Sequence, residues 1–219
     1  MDAHVWWAFF AASWLISLSP GSAAVLSLGQ GLAFGVRPTS VTIAGMGLGL
    51  AVVLLVAGAG VGALLLASGV AFAVVKALGA AYLIWLGWRQ WTAPVTPGAV
   101  ALDPPSSQAL ATKRVAPRVC ERFLTGFLTN ATNPKGIVFM VAVLPQFIDP
   151  HRPLWLQLLI LMATSVGVEV VVMHGYAFLA SRAQRWLSTA KARRQQNRVF
   201  GGVLMAMGGA LLMVKRAAG

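Results

Sequence analysis

The 219-residue chain is 58% hydrophobic and only 10% charged, well above the roughly 45–50% apolar content of a soluble domain, so an ordinary water-soluble globule is excluded. Its formal charge of +12 invites a nucleic-acid reading, but the basic residues fall in links between apolar runs and no nucleic-acid partner is expected. The single cysteine, Cys120, excludes a disulfide framework and a thiolate metal site.

Six runs approach the roughly 20 residues that a helix needs to cross about 30 Å of hydrocarbon: 5–28, 40–62, 68–88, 123–147, 154–180 and 199–216. They predict an all-α integral membrane protein forming a single membrane domain over 1–219. The first run opens with Val5, Trp6, Trp7 and Phe9, whose rings favour the headgroup level, and His4 sits among the headgroups. Met1–Phe10 holds no Lys or Arg, so it lacks the positive region of a signal peptide and the first span is expected to be retained. Ser17, Ser19, Pro20, Gly21 and Ser22 then fall near mid-span. Pro20 removes a helical hydrogen bond, and the freed carbonyl must be met by a neighbouring helix, by water or by a ligand. An ordinary proline kink would look the same.

The second run carries Gly45/Gly49 and Gly58/Gly62, small residues four apart that let helix backbones approach closely. Neither GxGxxG nor GxxxxGK[ST] spacing is present, so no nucleotide cofactor, and no cofactor of any kind, is implied. The third run has Lys76 near its outer end, where it either snorkels to the interface or takes part in proton coupling. It closes on an aromatic belt of Tyr82, Trp85, Trp88 and Trp91. Residues 92–121, with Pro94, Pro97, Pro104, Pro105 and Pro117, read as a cytoplasmic linker between a first three-helix repeat, 1–91, and a second, 122–219.

The fourth run contains the stretch GFLTNATNPKGIVFM, residues 126–140, which places Asn130, Asn133, Pro134 and Lys135 inside hydrocarbon. Polar breaks at that depth are costly unless they line a cavity. Pro145 and Gln146 follow before the outer loop. In the fifth run Glu169 is the one acid deep in any span, so it is either protonated or faces a polar interior; His174 reads as an interface residue because no metal-ligand spacing accompanies it. The sixth run, MGGALLMVK, resembles LGAAYLIWLG of the third, with Pro20 matching Pro134.

Three spans per half is an odd number, so the second half enters the membrane upside down relative to the first. The prediction is six transmembrane helices as two inverted three-helix repeats, with a site at the bilayer midplane where paired breaks meet. Twelve of the seventeen basic residues lie in the links that are cytoplasmic if both termini are outside, as the positive-inside rule requires. The same links suit anionic membrane lipid, and the Gly-rich second and sixth spans offer faces for contact within or between subunits, a homodimer included.

The motifs SLSPGSAAVL, KALGAAYLIWLGWRQW and GFLTNATNPKGIVFMVAVLPQF resemble those of the lysine exporter/RhtB family of bacterial amino-acid efflux transporters, over nearly the whole chain. The resemblance implies multi-pass insertion in the bacterial inner membrane and export of amino acids or derivatives such as homoserine, threonine or lysine by proton antiport. Carried over by position, Pro20 and Gly21 match the family's first-span Pro-Gly, Asn133 to Lys135 its Asn-Pro-Lys, and Pro145 to Phe147 its Pro-Gln-Phe. Where the family reads Pro-Gly-Pro, this chain has Ser22 in place of the second proline.

Together these readings give a translocation set of Pro20, Gly21, Ser22, Asn130, Asn133, Pro134, Lys135 and Gln146, with Glu169 and Lys76 for proton coupling. Helix termini at the two breaks would receive the charged ends of an amino acid, and Lys135 would pair with its carboxylate or with Glu169. A passive channel, an exporter of another small solute and a metal-cation exporter stay open as alternatives. Enzyme chemistry is disfavoured by the absence of GxSxG and HExxH.

Overall fold

The computed structural model describes residues 1–66, 69–93, 118–182 and 190–213, and among these every regular element is a helix. Most of the expected linker (94–117), the basic segment 183–189 and the C-terminal 214–219 lie outside the described residues. Cys120, within the linker as read from sequence, instead belongs to a helix, α5, that starts at Val119.

The first apolar run is two helices. Helix α1 (Ala3–Leu18) stops where Pro20 can no longer donate, with the Ser19 amide reaching back 3.2 Å to the Leu15 carbonyl. Helix α2 (Ser22–Phe34) restarts beyond Gly21 at an angle of 57°. It ends at Gly35, whose φ of 79° suits glycine and brings its amide 3.0 Å from the Gly31 carbonyl. Helices α3 (Val36–Leu66) and α4 (Gly69–Trp91) follow.

The fourth run is also broken. Helix α5 (Val119–Ala131) opens with the Glu121 carboxylate accepting from the Arg118 amide at 3.1 Å. It gives way at Thr132 to α6 (Pro134–Val143), which has proline in the first turn, where no donor is needed, and Asn133 as its cap. A 3-10 turn over Leu144–Phe147, α7 (Leu154–Arg182) and α8 (Ala190–Met213) complete the described chain.

Among the described residues, two stretches are long and apolar enough to cross a membrane alone, Val36–Gly60 and Leu154–Arg182, and the bent α1/α2 pair makes a third if it counts as one span. The protein is therefore membrane-embedded. Expected spans 123–147 and 199–216 correspond to shorter apolar helices, Pro134–Phe147 preceded by α5, and Asn197–Met213.

Packing relies on small residues. A Cβ on Gly45 would fall on the Phe123 carbonyl and one on Gly126 on the Thr42 carbonyl, so α3 and α5 touch backbone to backbone. Gly87 and Gly201 face one another's carbonyls in the same way, drawing α4 against α8. Helix α7 lies along α1, α2 and α3, while α6 fills the space between α3 and α4. One apolar cluster is centred on Phe9, Leu54, Leu83, Phe139 and Leu161, and another on Ala24, Ile43, Met46, Val172 and Met173.

The ends of the bundle are marked too. Asp2 pairs with Arg152 at 2.7 Å and the Trp6 indole donates to Thr164 at 3.0 Å, so the start of α1 is tied to the start of α7, where Trp7 and Trp155 are exposed. At the other end of α1, Ser19 donates to Gln90, beside the exposed Trp88 and Trp91 of α4.

Candidate functional site

The two helix breaks face one another. Ending α1 at Leu18 leaves its last carbonyls without helical donors, and Lys135, in the first turn of α6, supplies them: its Nζ donates to the Ser19 carbonyl at 2.8 Å and to the Ile16 carbonyl at 3.1 Å. The Tyr176 hydroxyl donates to the Leu18 carbonyl at 2.7 Å. The break in one half of the sequence is thus closed by a cation delivered from the break in the other. Asn133 sets the position of that cation, since its side chain accepts from the Lys135 amide at 3.1 Å and starts α6 there.

Behind Lys135 lies a polar junction of three helices. Asn130, near the end of α5, donates through Nδ2 to the Met46 carbonyl of α3 at 2.8 Å and to Oε1 of Glu169 on α7 at 2.7 Å. Both amide hydrogens are engaged. Oε2 of Glu169 is buried and meets no hydrogen-bond partner. Lys135 and Glu169 do not touch: the ion pairs within 4.0 Å among the described residues are those of Arg152.

Between these groups is a cavity of about 40 Å³, room for about three waters on the scale where one needs roughly 10–15 Å³. Its polar lining includes Ser13, Ser19, Asn130, Lys135, Ser165 and Glu169, set against Ile16, Leu50, Phe139, Met140 and Met173. A small, partly open space with a cation and a carboxyl in its lining has partners for both ends of a small zwitterion.

Of the residues singled out from sequence, Gly21, Asn130, Asn133, Lys135 and Glu169 line this cavity. Pro20 and Pro134 stand at the breaks without lining it, and Ser22, the first residue of α2, is exposed. Gln146 is elsewhere, its Nε2 donating to the Ala142 carbonyl at 3.2 Å within the 3-10 turn. Lys76 is half-buried on α4, outside the lining. His174 has both ring nitrogens engaged, with the Val170 carbonyl at 2.8 Å and Ser40 at 3.0 Å.

Sequence reasoning missed Ser13, Ser165 and Tyr176. A serine or tyrosine in an apolar helix carries no positional signal of its own, and only the meeting of α1, α6 and α7 gives these three a site.

Residues 14–215 match the family model described as LysE type translocator. The chain belongs to that family. It is accordingly a membrane transporter and not an enzyme. It is 40% identical over 217 residues to the homoserine/homoserine lactone efflux protein of Salmonella typhimurium, covering 99% of this chain and all of the relative. The Salmonella typhi protein of the same name is 39% identical with the same coverage. The leucine efflux protein of an Enterobacter species is 29% identical over 84% of this chain and 83% of its own length. No solved structure matches.

Proposed function

We propose that this chain is a secondary active exporter of a small amino acid or amino-acid derivative of the homoserine type, working by proton antiport across the bacterial inner membrane. The observation that carries the reading is a cavity between two broken helices whose lining includes both Lys135 and Glu169, the latter with its Oε2 unpartnered. The named relatives support the cargo class.

The architecture we infer is six spans in two inverted repeats, α1/α2, α3 and α4 against α5/α6, α7 and α8, with both termini outside. The packing supports it. Exchanging the halves turns the α3–α5 contact into the α7–α1 contact and α3–α6 into α7–α2, and all four are present, while α3–α7 and α4–α8 each pair an element with its counterpart; the α4–α6 and α2–α3 contacts depart from the symmetry, their mirror images being weak or absent among the described residues.

In this mechanism the substrate carboxylate draws Lys135 from the Ser19 and Ile16 carbonyls, and its ammonium meets Glu169. Losing the Lys135 clamp frees α1 to move against α6, which opens the cavity on one side. A proton taken up by Glu169 displaces the substrate ammonium, because a neutral carboxyl no longer holds a cation. The chain then returns loaded with a proton in place of cargo.

The test is efflux from cells preloaded with a labelled amino-acid panel that includes homoserine and leucine, with and without an uncoupler, comparing the chain with its Lys135→Ala variant. Saturable efflux of one class that stops with the uncoupler and falls at least roughly tenfold in the variant is expected, that factor being worth about 1.4 kcal/mol. Efflux that neither saturates nor responds to the uncoupler would favour a passive pore.

A further inference from the structure

Several hydroxyls in these helices have a local partner. Thr39, Thr125, Thr132 and Thr164 each donate to the carbonyl four residues back, at 2.7–2.8 Å, the habitual resting place of a hydroxyl in an apolar helix. Ser13 on α1 and Ser165 on α7 do otherwise. Both are almost wholly buried, at 2% and 3% exposure, and neither Oγ meets a hydrogen-bond partner. Both line the cavity that holds Lys135 and Glu169, where their neighbours are Ile16, Leu50, Phe139 and Met140.

We propose that Ser13 and Ser165 are the specificity-determining residues of the site, forming a pocket that accepts an oxygen on the substrate side chain and rejects an apolar side chain of the same size. The proposal rests on the exporter reading above and adds to it the chemistry of the cargo's side chain.

Register on α7 supports the length of that side chain. Ser165 precedes Glu169 by four residues, so the two share a face about one turn apart, about 6 Å along the axis. An amino acid whose ammonium meets Oε2 of Glu169 and whose carboxylate faces Lys135 directs its side chain along that face. Four bonds separate the amine from a hydroxyl on the γ-carbon, a reach of roughly 5 Å at about 1.5 Å per bond. That reach covers most of the rise from Glu169 to Ser165, and Ser13 of α1 lines the same cavity. Each serine both donates and accepts, so the same pair serves a free hydroxyl or the ester oxygen of a lactone.

Sites built to hydrogen-bond a substrate hydroxyl discriminate strongly against the analogue without it, because their own polar groups are then left unpaired. A hydrophobic pocket discriminates weakly between the same two molecules. Ser→Ala changes should move this site from the first behaviour toward the second.

The experiment compares uptake-driven exchange of labelled L-homoserine and L-norvaline, in which a methyl replaces the hydroxyl, in proteoliposomes of the full chain and of the Ser13→Ala, Ser165→Ala and Ser165→Thr variants. We expect a homoserine preference in the unaltered chain well above the roughly hundredfold that a hydrophobic pocket can give. It should drop about tenfold in either alanine variant, through loss of homoserine transport relative to norvaline, and should return with Ser165→Thr. A ratio unchanged by both alanine variants, with both substrates transported, overturns the specificity role and leaves the exporter reading standing. An unaltered chain that moves neither substrate overturns both.

Discussion

Asn130 links three helices at the polar junction, and its replacement by leucine, which keeps the branching and the number of side-chain heavy atoms, removes what its amide does. Asn130→Leu removes the hydrogen bonds to the Met46 carbonyl at 2.8 Å and to Glu169 at 2.7 Å. Met46 lies within α3, so its carbonyl keeps its helical donor and loses about 0.6–1.7 kcal/mol, the range for a side-chain bond between membrane helices. Glu169 fares worse. Its Oε2 already lacks a partner, so the variant leaves a buried carboxyl with none, at about 1–3 kcal/mol. The sum is about 2–5 kcal/mol, or a fall in melting temperature of roughly 4–20 °C for a chain of this size.

The sharper forecast is coupling. Once Glu169→Leu has removed the carboxyl, the Asn130 change has less left to break, and the double variant should be about 1–2 kcal/mol more stable than the sum of the singles. Thermal unfolding in detergent of the four proteins of this cycle measures it. Additivity within about 0.5 kcal/mol would refute the contact as an energetic link between α5 and α7.

Two glycines give further forecasts. Gly126→Leu inserts a side chain where a Cβ already meets the Thr42 carbonyl, so α3 and α5 must separate, and folded protein recovered in detergent should fall severely, read by size-exclusion chromatography. Gly21→Ala is milder: its Cβ would lie 3.1 Å from Lys135 Nζ, a flexible terminus that shifts by a few tenths of an ångström, so yield should hold while the maximal export rate falls several-fold.

The helix breaks and the polar residues near them could be read directly from the chain because their chemistry is local. Pro20 and Pro134 cannot donate to a helix wherever they are placed, and Asn130, Lys135 and Glu169 are conspicuous in hydrocarbon by residue type alone. Which face a residue presents is not local. Lys76 and Gln146 carry the same polar signal, yet Lys76 sits on α4, which packs on α6 and α8 away from the cavity, and Gln146 serves its own turn. Ser13 and Ser165 fail the opposite way, since their residue type matches many self-satisfied hydroxyls and only the absent back-bond distinguishes them. The fourth apolar run was legible as interrupted at Pro134, while the asparagine cap that fixes where α6 begins, at Asn133, is a feature hydropathy does not weigh.

The central claim is that Glu169 exchanges protons against cargo in this cavity. The measurement that meets it most directly is homoserine transport in proteoliposomes under an imposed pH gradient, for the unaltered chain and for Glu169→Gln, alongside gradient-free exchange of labelled for unlabelled substrate. The account predicts that the gradient drives net uphill transport in the unaltered chain, whereas the glutamine variant still exchanges substrate but gains nothing from the gradient. Uphill transport by Glu169→Gln at the unaltered chain's rate and pH dependence would contradict it.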